Sequence, residues 1–206
     1  METAWMLLSA YLLGSIPTGF LLGIFSGVDI RRTGSKNIGA ANVARVVGWK
    51  VGLITLIADA AKGFIPVYLS LHLGFSVKVS ALTGLLAFLG HLYPVFLKFR
   101  GGKGVATALG VFVSLTFWGY SSGPLLSLLV IFLVVVSLYR RVALASVVSA
   151  GAAPLAFWYF SYPISLVGLS LTIGLLTIVR HRDNIRRLMA GEEPRISFHR
   201  KTSQVS

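Results

Sequence analysis

The stretch Leu97-Lys98-Phe99-Arg100-Gly101-Gly102-Lys103-Gly104 places three cations and three glycines between two long apolar runs, 79–97 ahead of it and 105–139 behind it. The second run is uncharged and exceeds the roughly 20 residues that one membrane span needs. The chain therefore reads as helices that cross a bilayer, and the quoted stretch as a connection at its surface. Successive glycines let backbone N–H groups approach an anion, Lys98, Arg100 and Lys103 supply charge, and the following helix offers a positive N-terminus. A phosphate is the natural guest.

Outward from that loop the composition agrees. With 206 residues, 55% hydrophobic content and mean hydropathy +0.81, the chain reads as one polytopic membrane domain, 1–206, rather than a soluble fold. Zero cysteines exclude a disulfide framework, thiolate catalysis and a cysteine-ligated metal. The first apolar run has no basic segment before it and no small-residue cleavage site, so it reads as a retained helix.

The apolar pattern predicts an all-α membrane protein with seven transmembrane helices, at about 3–28, 51–71, 79–97, 105–120, 123–139, 142–160 and 163–179, and a polar tail over 180–206. Gly14-Ser15-Ile16-Pro17 predicts a kink in the first span. Tyr120-Ser121-Ser122-Gly123-Pro124 and Ser161-Tyr162-Pro163 supply turns that divide the later runs. Asp59 and Lys62, three residues apart in the second span, read as a structural ion pair on an inward face. His91 and Pro94 close the third span. Of the 19 Lys and Arg, all but Lys62 and Lys78 fall in the connections after spans one, three, five and seven. That bias puts the N-terminus outside and the C-terminus in the cytoplasm. The net charge of +13 is thus tied to span ends, which argues against a nucleic-acid partner.

Two more polar segments lie on the same face. Gly34-Ser35-Lys36-Asn37-Ile38-Gly39-Ala40-Ala41-Asn42-Val43-Ala44-Arg45 mixes glycines, amides, a hydroxyl and two cations, donors suited to phosphate oxygens. Its glycine spacing fits neither a Walker A loop nor a dinucleotide fingerprint. In Arg180-His181-Arg182-Asp183-Asn184-Ile185-Arg186-Arg187-Leu188, His181 and Asn184 are three apart and share a helix face. Nucleophilic catalysis finds little support: there is no Gly-x-Ser-x-Gly elbow, and of six acids Asp183, Glu192 and Glu193 lie in the tail. A His-x4-Asp pattern is also missing, because Val77, Phe96, Arg186 and Gln204 stand five beyond the four histidines. No protein base is evident.

Taken together, the three loops resemble those of the bacterial acyl-phosphate:glycerol-3-phosphate acyltransferases, the PlsY family, from about Gly14 to Arg195. The carrying motifs are Gly34-Ser35-x-Asn37-x-Gly39-x-x-Asn42-x-x-Arg45, then Lys98-Phe99-Arg100-Gly101-Gly102-Lys103-Gly104-Val105-Ala106-Thr107, then Arg180-His181-Arg182-x-Asn184-Ile185-x-Arg187-Leu188 with Gly191 and Glu193. Asp29-Ile30-Arg31 and Asp59-x-x-Lys62-Gly63 add to the likeness. Lys36 stands where the family usually has glycine, and Ala41 where it often has threonine. The resemblance implies transfer of a fatty acyl group from acyl phosphate to the 1-hydroxyl of glycerol 3-phosphate, giving lysophosphatidic acid and phosphate at the inner face of the cell membrane. It implies neither acyl-CoA, nor a metal, nor another cofactor.

Acyl phosphate is a mixed anhydride with a good leaving group, so positioning and charge stabilisation can suffice, with phosphate as its own base. On that reading no residue is a certain catalytic group. Ser35, Asn37, Asn42, Arg45, Arg100, Gly101, Gly102 and Lys103 are expected to bind substrate phosphate. His181 and Asn184, with Ser146 at the edge of the sixth span, are expected to orient the acceptor, and the acyl chain to lie among the helices. A small permease or flippase for a phosphorylated metabolite is the rival, with the basic loops as its vestibule; polar groups gathered at one face rather than at the midplane speak against it. Oligomeric state leaves no mark on the sequence, and a monomer is compatible with it.

Overall fold

The computed structural model describes residues 1–195, whose regular elements are all helices, without a strand among them. The first apolar segment is two helices, α1 (Glu2–Ser15) and α2 (Thr18–Phe25), broken where Pro17 lacks an N–H. A short α3 (Ala40–Val46) lies inside the first polar segment, ahead of α4 (Trp49–His72). Then come α5 (Val77–Leu92), a 3-10 turn at Val95–Leu97, α6 (Val105–Phe117), α7 (Gly123–Tyr139), α8 (Val142–Tyr159) and α9 (Ile164–Arg180).

Apolar helices thus occupy all seven predicted stretches. Four, namely Glu2–Phe25, Trp49–His72, Val77–Leu97 and Val142–Tyr159, are long and apolar enough to cross a membrane. The predicted span at 105–120 is shorter than expected: α6 has 13 residues, about 20 Å at 1.5 Å per residue, against a hydrocarbon core of about 30 Å. The polar tail begins with a helix, in keeping with the face that His181 and Asn184 were expected to share. Residues Arg182–Met189 form α10, bent 59° from α9, with Asp183 in its first turn and Arg186 and Arg187 in its last, matching the helix dipole. The remainder of that tail, 196–206, lies outside the described residues.

Packing relies on close backbone approach. A Cβ on Gly14 would strike the backbone of Ala87, and one on Gly110 the carbonyl of Ala60, so α1 on α5 and α6 on α4 cross at distances only glycine allows. The main buried cluster runs through Val67, Phe88, Leu92, Val111, Phe112, Phe157 and Leu166. A smaller one, Ile30, Ile38 and Val43, anchors the loop that carries α3.

The break between α1 and α2 explains the intramembrane ion pair. Lys62 Nζ donates at 2.9 Å to the Ile16 carbonyl, which also accepts the Thr18 N–H at 3.0 Å, and sits 2.9 Å from Asp59 Oδ1, which accepts from Thr18 Oγ1. Both charges are buried and both are satisfied. The pair is structural: it ties the two halves of the broken helix to α4.

Candidate functional site

A cavity of about 780 Å3 opens among the loops at the basic end of the bundle and runs in between α6, α7, α8 and α9. Its polar end is lined by Ser35, Asn37 and Arg45, by Lys103, and by His181, Asn184, Arg187 and Glu193. Three segments distant in sequence therefore meet at one place. Its other end is apolar, bounded by Leu109, Phe112, Leu128, Phe132 and Ile173.

The first segment is held by a buried amide. Asn42 Nδ2 donates to the carbonyls of Ile30, Thr33 and Asn37, at 2.9 to 3.1 Å, and its Oδ1 accepts the Ser35 N–H at 2.8 Å. Asn42 lines the cavity, but those bonds commit its amide to the loop rather than to a guest. Asn37 Oδ1 likewise accepts the Gly39 N–H. The Ser35 and Arg45 side chains are what this loop presents. Upstream, Asp29 accepts from the Arg31 backbone and guanidinium, which hold its carboxyl down to about 2.

The glycine-rich loop corrects the sequence reading. Gly101 and Gly102 do not turn their N–H groups toward the cavity: they donate to the carbonyls of Leu92 and His91, both at 3.1 Å. Their own carbonyls accept from Arg180, at 2.7 and 3.1 Å. The dipeptide is clamped between the end of α5 and the end of α9, and a Cβ at Gly102 would collide with the His91 ring. Glycine serves tight packing here, not an anion cradle. Arg100 is exposed and outside the cavity lining, as the turn at Lys98 and Phe99, both with positive φ, points the chain away. What the clamp delivers is Lys103, together with the N-terminus of α6, where the cap Gly104 and the helix residues Val105 and Ala106 line the cavity.

Lys103 joins a chain of polar contacts. Its Nζ donates to Asn184 Oδ1; Asn184 Nδ2 donates to Glu193 Oε1 at 2.7 Å; Arg187 Nε donates to Glu193 Oε2 at 2.9 Å. Burial lowers Lys103 from its ordinary 10.5 to about 8, with Glu193 pulling the other way. His181, at the bend between α9 and α10, is lowered by burial to about 4 and is neutral at pH 7. Its Nδ1 lies 2.8 Å from the Thr177 carbonyl, which can only accept, so Nδ1 carries the proton and Nε2 is left as an acceptor.

Ser146 is buried on α8, lines the cavity and donates to the Val142 carbonyl at 2.9 Å. Eight of the expected residues thus reach the cavity: Ser35, Asn37, Asn42, Arg45, Lys103, Ser146, His181 and Asn184. Arg100, Gly101 and Gly102 do not. The sequence reading gave no role to Arg187 or Glu193. Arg187 follows Asn184 at helical spacing, a signal that was there to use. Glu193 was grouped with tail acids, yet it is buried against Asn184. Asp59 and His91 also reach the wall, His91 with its Nδ1 3.6 Å from Asp59 Oδ1.

Residues 4–191 match the family model described as glycerol-3-phosphate acyltransferase. Among curated relatives of that name, the protein of Geobacter sulfurreducens is 50% identical, covering 90% of this chain and 93% of its own. That of Aquifex aeolicus is 42% identical, covering 95% of this chain and all of its own. The crystal structure of PlsY (YgiH), an integral membrane glycerol 3-phosphate acyltransferase, in its glycerol 3-phosphate form superposes with TM-score 0.90 at 39% identity, over 96% of each chain. The lysophosphatidic acid form of PlsY gives 0.87 over the same shares. The chain belongs to the PlsY family of integral membrane glycerol-3-phosphate acyltransferases.

Proposed function

We propose that the chain transfers a fatty acyl group from acyl phosphate to the 1-hydroxyl of sn-glycerol 3-phosphate. The products are lysophosphatidic acid and inorganic phosphate, the first acylation of phospholipid synthesis. The observation that carries this reading is the cavity itself, with cations and amides from three segments at one end and an apolar arm at the other. A phosphate with a fatty chain needs both.

In the mechanism, Ser35, Arg45 and Lys103 hold phosphoryl oxygens. The unpaired N–H groups at the start of α6 stabilise charge as the acyl carbonyl is attacked. His181 Nε2, free to accept, takes a hydrogen bond from a glycerol hydroxyl, and Asn184 is fixed beside it by Lys103 and Glu193. A neutral imidazole lowered to about 4 is a poor base, so it orients the acceptor and the donor supplies the proton acceptor. The acceptor oxygen bonds to the acyl carbon, the bond from that carbon to the phosphate oxygen breaks, and the phosphate leaves with the hydroxyl proton. Asn42, Gly101 and Gly102 act by holding this geometry.

The proposed topology is a single polytopic unit of seven spans, N-terminus outside, with the active face in the cytoplasm and the protein in the cell (inner) membrane. The test uses purified protein in detergent. Phosphate release from acyl phosphate that depends on glycerol 3-phosphate, with lysophosphatidic acid as product, supports the assignment. Saturable uptake of a phosphorylated solute into liposomes without that chemistry overturns it in favour of a carrier.

A further inference from the structure

Behind the apolar lining stands a plug of packed aromatic rings. Phe112, which lines the cavity, sits 4.8 Å centroid to centroid from Phe157; Phe157 sits 4.6 Å from Tyr162, and Tyr162 5.2 Å from Tyr120. Tyr162 is fixed at both ends: its N–H donates to the Phe157 carbonyl at 3.0 Å and its hydroxyl to the Ser121 carbonyl at 2.6 Å. Ser161, with φ 56, makes the turn that swings this ring under α8. The plug is therefore part of the fold and does not yield readily to a longer guest.

Helix α8 forms the wall that leads to the plug. It lines the cavity at Ala143, Ser146, Ser149, Ala150 and Ala153, whereas the walls opposite carry Phe112, Leu128 and Phe132. Ala153 is the last α8 residue on the cavity, and Phe157, one turn further on, belongs to the plug. Both are buried.

We infer that Ala153 and Phe157 set the length of acyl chain that the arm accepts, Ala153 as the deepest open position and Phe157 as the stop behind it. This rests on the acyl phosphate reading above. A carbon–carbon bond of about 1.5 Å carries an extended chain forward by roughly 1.25 Å, so one turn of α8, about 5.4 Å, matches about four methylenes. Filling the space at Ala153 shortens the optimum by about that much, and removing the Phe157 ring extends it. Each methylene that loses its place in the arm costs about fourfold in kcat/KM.

The experiment measures kcat/KM for Ala153→Leu and Phe157→Ala over a series of saturated acyl phosphates stepped by two methylenes, with glycerol 3-phosphate as acceptor. The expected result is opposite displacement of the two optima, with Ala153→Leu keeping activity on the shortest donors. Equal scaling of every chain length in both variants overturns the inference. If Ala153→Leu is inactive on all donors, Phe157→Ala decides alone, and an unchanged profile overturns it. In parallel, thermal stabilisation of each protein by lysophosphatidic acids of stepped length reads the arm without turnover. A wild-type protein that uses no acyl phosphate at all, yet is stabilised in a length-dependent way that shifts in the variants, defeats the donor assignment and leaves the ruler standing.

Discussion

Lys103 should impose a basic limb on the pH profile, and the structure gives its position. The ammonium is buried beside Asn184 and lowered to about 8, so above that pH the cavity loses the cation proposed to hold phosphate. The sign follows directly: the charged form binds and dominates below about 8, and kcat/KM for glycerol 3-phosphate falls as pH rises through it. At pH 9 about a tenth of the free enzyme remains charged, an expected loss of about tenfold. Because a bound phosphate favours the ammonium, the limb moves to higher pH in kcat than in kcat/KM. Lys103→Arg, with a guanidinium that stays charged, should be slower at neutral pH because the fork cannot reproduce the contact with Asn184, yet it should lose the limb. Steady-state phosphate release across pH 6 to about 10, with thermal melts at each pH to exclude unfolding, provides the measurement. A wild-type limb that persists unchanged in Lys103→Arg would refute the reasoning.

Glu193→Gln should cost about tenfold in kcat/KM, since it removes the charge that fixes Asn184 and Arg187, and it should move the basic limb to lower pH because Glu193 raises Lys103. Replacing Asn42 with leucine removes the amide that fastens four backbone groups; a loss of about 2–4 kcal/mol in stability is expected, read as a lower melting temperature. Lys62→Met strands a buried carboxylate and should destabilise by about 3–5 kcal/mol, while Asp59→Asn with Lys62→Met should recover part of that in the same melt.

The positions of the apolar helices were legible because hydrophobic runs, prolines and charge clusters are local signals. The kink at Ile16-Pro17 needed only a residue without an N–H. The helix over Arg182–Met189 was legible in part: the spacing of His181 and Asn184 gives one face, and the placement of Asp183, Arg186 and Arg187 marks its ends. Residues of the cavity's polar lining were legible where donor types clustered, as with Ser35, Arg45, Lys103, His181 and Asn184. The error at Gly101 and Gly102 has a physical origin: a glycine pair is equally suited to an anion and to a tight backbone crossing, and the choice depends on Arg180 and His91, residues distant in sequence. The arm's lining came from four helices whose relative rotation no local pattern reports.

The cap that Lys62 places on Ile16 also bears on how the protein is made. A ribosome delivers α1 and α2 to the bilayer before α4 exists, so the Ile16 carbonyl at the break enters with the Thr18 N–H as its partner and gains the Lys62 ammonium only later. The N-terminal segment reaches its final form only when α4 arrives with its cation and carboxylate, which makes biogenesis of this half a joint event rather than a sequence of independent insertions.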